Sequence, residues 1–174
     1  MPCSICKQTG HNKKTCSQIP EKKEDIENKV VKCKKFYNYI LGQVNANNNF
    51  TYNGYTVNLN HRLRQHQGII KGGAYATRNK EWEFIAILHS NTWDSISVAM
   101  AIEWLVRYPQ RKKKRAKKFN SPEGRILSLL EICNRIVEQV NIFVIDRYYE
   151  LACSLKLPSN IKLVRTMEEL EIFL

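Results

Sequence analysis

The chain has 174 residues, 43% of them hydrophobic and 25% charged, a balance that excludes a wholly disordered polypeptide and fits one ordinary domain with a small appendage. Lys and Arg number 28 against 16 acidic residues, so the formal net charge of +12 favours a polyanionic partner, nucleic acid ahead of an acidic membrane surface. No apolar run approaches the ~20 residues a membrane-spanning helix needs. The N-terminal MPCSICKQTGHNKKTC lacks the apolar core of a secretory signal, so the expected setting is intracellular and soluble, without a membrane.

Residues 1–18 carry Cys3, Cys6, His11 and Cys16 in the spacing C-x2-C-x4-H-x4-C, with Gly10 just before the histidine. Three thiolates and one imidazole fill a tetrahedral Zn2+ completely, which makes a structural rather than a catalytic site. So short a loop buries no core, and metal binding must supply most of its folding free energy. A disulfide framework fits these intervals poorly. The pattern resembles the CCHC zinc knuckle, which implies contact with single-stranded nucleic acid. Cys33, Cys133 and Cys153 are scattered and read as small buried hydrophobes.

Residues 19–33 read as a polar Lys/Glu-rich linker. A compact α/β rhythm follows over 34–118. Phe36 to Leu41 is aromatic and β-branched enough for a strand, 43–49 reads as a turn, and Phe50 to Val57 makes the second strand of a hairpin. Asn58 is placed to cap a helix over Leu59 to Gln67, stopped by Gly68, and Gly72 and Gly73 mark a loop. Glu83 to His89 is a third strand, and Thr92 or Asp94 opens a helix that ends at Arg107, before Pro109. On that helix Glu103 shares a face with Ile96, Ala99 and Met100, a stripe expected to pack on the sheet. A carboxylate in such surroundings is costly unless it meets a cation, and an arginine and a metal ion are both open as that partner.

Arg107, Arg111, Lys112, Lys113, Lys114, Arg115, Lys117 and Lys118 form an acid-free run; without it the net charge would be only +4. A phosphate-contacting surface is the expected use, with a solvated linker or nuclear-import signal as the plainer reading. In 119–174, Ser121 and Pro122 begin a helix, and Ile126, Leu129, Leu130, Ile132, Cys133 and Ile136 continue an amphipathic one. Ile161 to Val164 could add a strand. The fold expected is therefore α/β (α+β): a three-stranded, mainly antiparallel sheet flanked by helices, an N-terminal knuckle and a mostly helical C-terminal extension.

Taken in order, the YNY ending at Tyr39, the YNG of Tyr52–Gly54, YTVNLNHRLRQH, GGAYAT, WEFIAILH and AMAIEW followed by a proline resemble the GIY-YIG nuclease domain. The likeness is strongest to the SLX1-like branch of structure-selective endonucleases. It implies that Tyr39 and Tyr52 are the two motif tyrosines, Arg62 and Arg64 the helix arginines and Glu103 the metal-binding glutamate, with His66 on a histidine common in that branch and grouped with the nucleic-acid contacts. The implied chemistry is phosphodiester hydrolysis with one Mg2+ or Mn2+ at Glu103. Tyr39 would help take the proton of an attacking water, and Arg62 would hold the phosphate.

The implied substrate is DNA, branched or with single-stranded arms, in repair or recombination. Two departures stand out. Asn53 occupies a position where Ile or Val is usual, and the residues after Lys118 hold too few cysteines and histidines for the RING-like domain through which that branch docks on a scaffold. The second departure argues against a scaffold partner here. A site-specific homing-type nuclease and a non-catalytic nucleic-acid binder are the alternative readings. The nucleus and a viral factory are the compartments that fit.

Overall fold

The computed structural model describes residues 3–4, 6–10, 34–44 and 50–172. Residues 1–32 and 33–174 form two separate compact units. In the first, the Cys3 N–H donates to the Gln8 carbonyl at 2.8 Å and the Lys7 N–H to the Cys3 carbonyl at 2.9 Å, closing a turn that holds Cys3 and Cys6. His11, Cys16 and the 19–33 linker lie outside the described residues.

The second unit is built on β1 (Tyr37–Gln43), β2 (Thr51–Thr56), β3 (Trp82–His89), β4 (Val140–Val144) and β5 (Ile161–Val164), in the order β2-β1-β3-β4-β5. Three strands were expected and five are present. The additional two come from the C-terminal segment, so what reads as a helical extension shares one sheet with the residues before it. β4, with the sequence VNIFV, runs antiparallel to β3 with Ala86 opposite Val144 and His89 opposite Asn141. β5 runs parallel to β4, which requires a crossover, and α5 (Asp146–Cys153) supplies it.

Between Ile40 and Leu41 the β1–β3 register shifts, because Ala86 faces Ile40 and Phe84 faces Leu41, leaving Ile85 as the extra residue of a bulge. Gly42 makes room for it: a Cβ there would lie 2.7 Å from Ile85 Cγ2. The bulge keeps Tyr37, Tyr39, Leu41, Trp82, Phe84 and Ile87 in one buried cluster, covered in part by Leu59 and Leu63 of α1 (Leu59–His66). Ile40, Ile85, Ala86 and Leu88 join the other, larger cluster with Trp93, Val106, Ile126, Leu129, Ile132, Ile142 and Val144.

Asn58 caps α1 as the sequence predicts, its side chain accepting from the His61 N–H at 2.9 Å. The helix α2 (Ile96–Arg107) starts later than predicted, with Ser95 rather than Thr92 or Asp94 accepting from the Val98 N–H. Its stripe also differs from expectation. Ala99 and Val106 are buried, while Ile96 and Met100 are 55% and 53% exposed, so Glu103 lies at the edge of the packed face and not inside an apolar one. The predicted long C-terminal helix is split into α3 (Pro122–Leu127) and α4 (Leu129–Cys133). At the break, the Ser128 hydroxyl donates to the Arg125 carbonyl at 2.7 Å, competing with the helical ladder. Ser121 caps α3, accepting from the Gly124 N–H at 3.0 Å.

Candidate active site

Strand β1 places the Tyr39 side chain on the face covered by α1, fully buried. The phenol crosses β2 at Gly54, where a Cβ would lie 2.6 Å from Tyr39 Oη and 3.0 Å from its Cζ. That close approach is why a glycine follows Tyr52 and Asn53. Arg62 and His66 stand one helical turn apart on α1 and both reach the same oxygen: Arg62 Nε donates to Tyr39 Oη at 2.9 Å, and His66 Nε2 meets it at 2.8 Å. Arg62 is itself braced, its NH1 donating to Gln65 Oε1 at 2.9 Å and to the Gly72 carbonyl at 3.2 Å. Gly72 and Gly73 are required for that brace, since a Cβ on either would lie within 2.5 Å of Gln65 atoms.

The protonation of this group follows from its partners. Thr77 Oγ1 has one hydrogen, which it donates to the Ala74 carbonyl at 2.8 Å, so it accepts from His66 Nδ1 at 2.9 Å. His66 therefore carries its proton on Nδ1, and the bare Nε2 accepts from the Tyr39 hydroxyl. Burial and then the charge of Arg62 push His66 down to about 4, which keeps the ring neutral. Burial pushes Tyr39 up to about 12 against the opposing pull of Arg62, so the phenol holds its proton at neutral pH. For Arg62, burial works against the charge, but the Tyr39 and Tyr52 hydroxyls outweigh it and raise its pKa. Tyr52 on β2 completes the group, its ring centroid 4.9 Å from that of His66.

Glu103 comes from α2, its side chain 17% exposed. Two donors converge on Oε1: Asn53 Nδ2 at 2.9 Å and Arg107 NH2, one helical turn on, at 2.8 Å. No donor meets Oε2 among the described residues. Asn53 is held from behind, its Oδ1 accepting from Arg125 NH2 at 3.2 Å. Arg125 on α3 is fully buried, and burial followed by the charges of Arg115 and Arg107 lowers it to about 9, still protonated at neutral pH.

Residues 35–120, which carry all of this except Arg125, match the family model described as the GIY-YIG catalytic domain. The chain is similar to that domain over just under half of its length. It is similar to the structure-specific endonuclease subunit slx1 of Schizosaccharomyces japonicus, 37% identical over 73 residues, which cover 41% of this chain and 26% of that protein. It is also similar to the structure-specific endonuclease subunit SLX1 of Rattus norvegicus, 38% identical over 65 residues, or 36% of this chain and 23% of that protein. The match thus spans about a quarter of the length of those curated relatives.

Within the matched residues, Tyr39, Tyr52, Arg62 and His66 are brought together, and Arg64 lies exposed on α1 outside this group. His66, expected among the nucleic-acid contacts, is 1% exposed with both ring nitrogens engaged inside the protein. Its spacing from Arg62, which turns both side chains to one face, is what places it under the phenol. Arg107 belongs to the site as much as to the basic run, a double role legible in its four-residue spacing from Glu103. Arg111 to Lys114, Lys117 and Lys118 are exposed, and the half-buried Arg115 donates to Asn120 Oδ1 at 2.9 Å.

Thr77, Asn53 and Arg125 were not assigned roles from sequence. Thr77 lies in the GGAYAT string and Asn53 is a visible departure, but nothing in the sequence marks Arg125. A hard divalent ion fits Glu103: it takes carboxylate oxygen and retains several waters, so one free oxygen suffices where no cluster of three ligating side chains exists among the described residues.

Proposed function

We propose that the chain is a metal-dependent DNA endonuclease that hydrolyses phosphodiester bonds, selecting branched or flapped DNA in repair or recombination. The observation that carries this reading is the buried phenol of Tyr39, held between a guanidinium and a neutral imidazole. A phenol at about 12 is no base by itself at neutral pH. Coupled to His66 it relays: as a water attacks phosphorus, its proton passes to Tyr39 Oη while the Tyr39 proton passes to His66 Nε2. His66 becomes imidazolium, with Nδ1–H still on Thr77, and the bond from phosphorus to the departing oxygen breaks, that oxygen leaving as an alkoxide that takes its proton from solvent. Neither partner has to carry charge before the attack, which suits so dry a setting.

Arg62 keeps the phenol oxygen in place and offers positive charge as the phosphate gains negative charge. Tyr52 positions the water or the phosphate, and the exposed Arg64 takes a neighbouring phosphate. Glu103 would hold a divalent Mg2+ or Mn2+, which when bound would supply Lewis-acid charge to the phosphate and the departing oxygen. The basic run leads away from Arg107, so duplex phosphates would lie along Arg111 to Lys118. Cys3, Cys6, His11 and Cys16 would hold a structural Zn2+ and add affinity for a single-stranded arm.

The test is incubation of the purified chain with labelled flap, junction and linear duplex DNA in Mg2+ or Mn2+. The proposal expects metal-dependent cutting of branched substrates that Glu103→Gln abolishes. Cutting by Glu103→Gln at the wild-type rate, or no cutting of any substrate by the wild type, would refute it.

A further inference from the structure

Among the described residues, Arg125 is a buried cation without a carboxylate in contact. NH1 donates to the Val106 carbonyl at 2.9 Å, NH2 donates to Asn53 Oδ1 at 3.2 Å, and Nε has no partner among those residues. Replacing such a group with an apolar side chain of similar volume is often neutral or stabilising, so its burial is poorly accounted for as a device for stability. What distinguishes it is where its hydrogen bonds lead. Val106 belongs to the last turn of α2, whose carbonyls lack helical partners and carry the negative end of the helix dipole.

Asn53 continues the path. With Oδ1 occupied by Arg125, its amide cannot flip, and Nδ2 must face Glu103, donating to Oε1 at 2.9 Å and to the Glu103 carbonyl at 3.3 Å. Asn53 is itself buried. An Ile or Val at this position could pack on the same sheet face but could not transmit an orientation. Arg125 thus grips α2 at its C-terminal carbonyl and, through Asn53, at the carboxylate.

We propose that Asn53 and Arg125 are positioning residues that lock Glu103 with Oε1 occupied and Oε2 left for a divalent cation. The proposal rests on the reading of Glu103 as the metal ligand. Arg107 alone does not achieve the same lock, because it is solvent-exposed and sits on the same helix, free to swing with its own long side chain. Arg125 also lies outside the matched residues 35–120, so the C-terminal segment would complete the site as well as the sheet.

The experiment measures Mn2+ binding to the full chain without DNA, by the loss of the free-ion paramagnetic resonance signal. Partners that orient a metal ligand typically contribute about 10- to 100-fold in affinity. Asn53→Val and Arg125→Met should each weaken Glu103-dependent Mn2+ binding at least about tenfold. The double variant should bind no more weakly than either single one, because the two act in series. Arg125→Lys should not rescue, since an ammonium cannot bridge Val106 and Asn53 as the planar fork does.

Thermal unfolding is followed in parallel: a purely structural role for Arg125 would lower Tm and leave the Mn2+ affinity unchanged. Should Arg125→Met fail to fold, the apolar, similarly sized Asn53→Val carries the test. Wild-type Mn2+ affinity in Asn53→Val, with binding lost in Glu103→Gln, would overturn the positioning role and leave Glu103 as the ligand. Wild-type affinity in Glu103→Gln would overturn the metal reading and the positioning role with it.

Discussion

Lowering the pH from 7 to 5 should destabilise the protein through His66, by an amount that follows from its surroundings. The ring sits at about 4 in the folded chain, against about 6.5 when unfolded. A base with a depressed folded pKa binds fewer protons folded than unfolded throughout that window, so stability falls as the pH drops through 6.5 and the loss saturates below 4. At pH 5 the unfolded histidine is almost fully protonated while the folded one is about nine-tenths neutral, which amounts to about 2 kcal/mol lost relative to pH 7. His89, also held down by burial, and Glu171, held down by its hydrogen bonds to Lys35 and Tyr37, lose stability in acid too. They are common to wild type and His66→Gln, so the difference between the two isolates His66. Urea unfolding of both proteins at pH 7, 6 and 5 measures it, and the wild type should lose about 2 kcal/mol more than the variant over that range. Parallel losses would refute the buried neutral imidazole. Long-range 15N imidazole spectra placing the His66 proton on Nε2 at pH 7 would refute its assignment to Nδ1.

Gly54→Ala forces the Tyr39 phenol aside, because the new Cβ would lie 2.6 Å from Oη. Cleavage should fall by about 100-fold, the usual cost of an ångström-scale misplacement, while Glu103-dependent Mn2+ binding stays at the wild-type level. Converting Lys112, Lys113 and Lys114 together to Gln should flatten the dependence of log K on log salt by about 0.9 for each phosphate that is no longer neutralised, with fluorescence anisotropy on duplex DNA as the assay. Ending the chain after residue 120 removes β4, β5 and the Ile126, Leu129, Ile132 and Val144 side of the larger core. Such a fragment should show no cooperative thermal transition by circular dichroism.

Much of the site was legible because its chemistry is tied to local spacing. The two tyrosines lie on strands whose aromatic and β-branched composition reads clearly, and Asn58 announces the helix that carries Arg62 and His66. Tertiary placement was less legible. Ile96 and Met100 have the spacing of a packed stripe, yet α2 buries the face centred on Ala99 and Val106, so the apolar residues beside Glu103 stay outside.

The strand VNIFV reads only as a mixed aromatic and aliphatic stretch, because nothing local announces that β3 has a second edge to pair. Arg125 looks like any charged residue in a short helix. Its burial is decided by how α3 meets the end of α2 and Asn53, partners separated from it in sequence by 19 and 72 residues.

The most direct test of the whole account is anomalous scattering from a crystal of the full chain soaked in Mn2+. The account predicts a peak coordinated by Glu103 Oε2, on the side of the carboxylate away from Asn53 and Arg107, with Tyr39, Arg62 and His66 still sharing one hydrogen-bonded centre. A crystal with ordered Glu103 and no peak there, or with the ion held elsewhere and Arg107 as the lasting partner of the carboxylate, would contradict it.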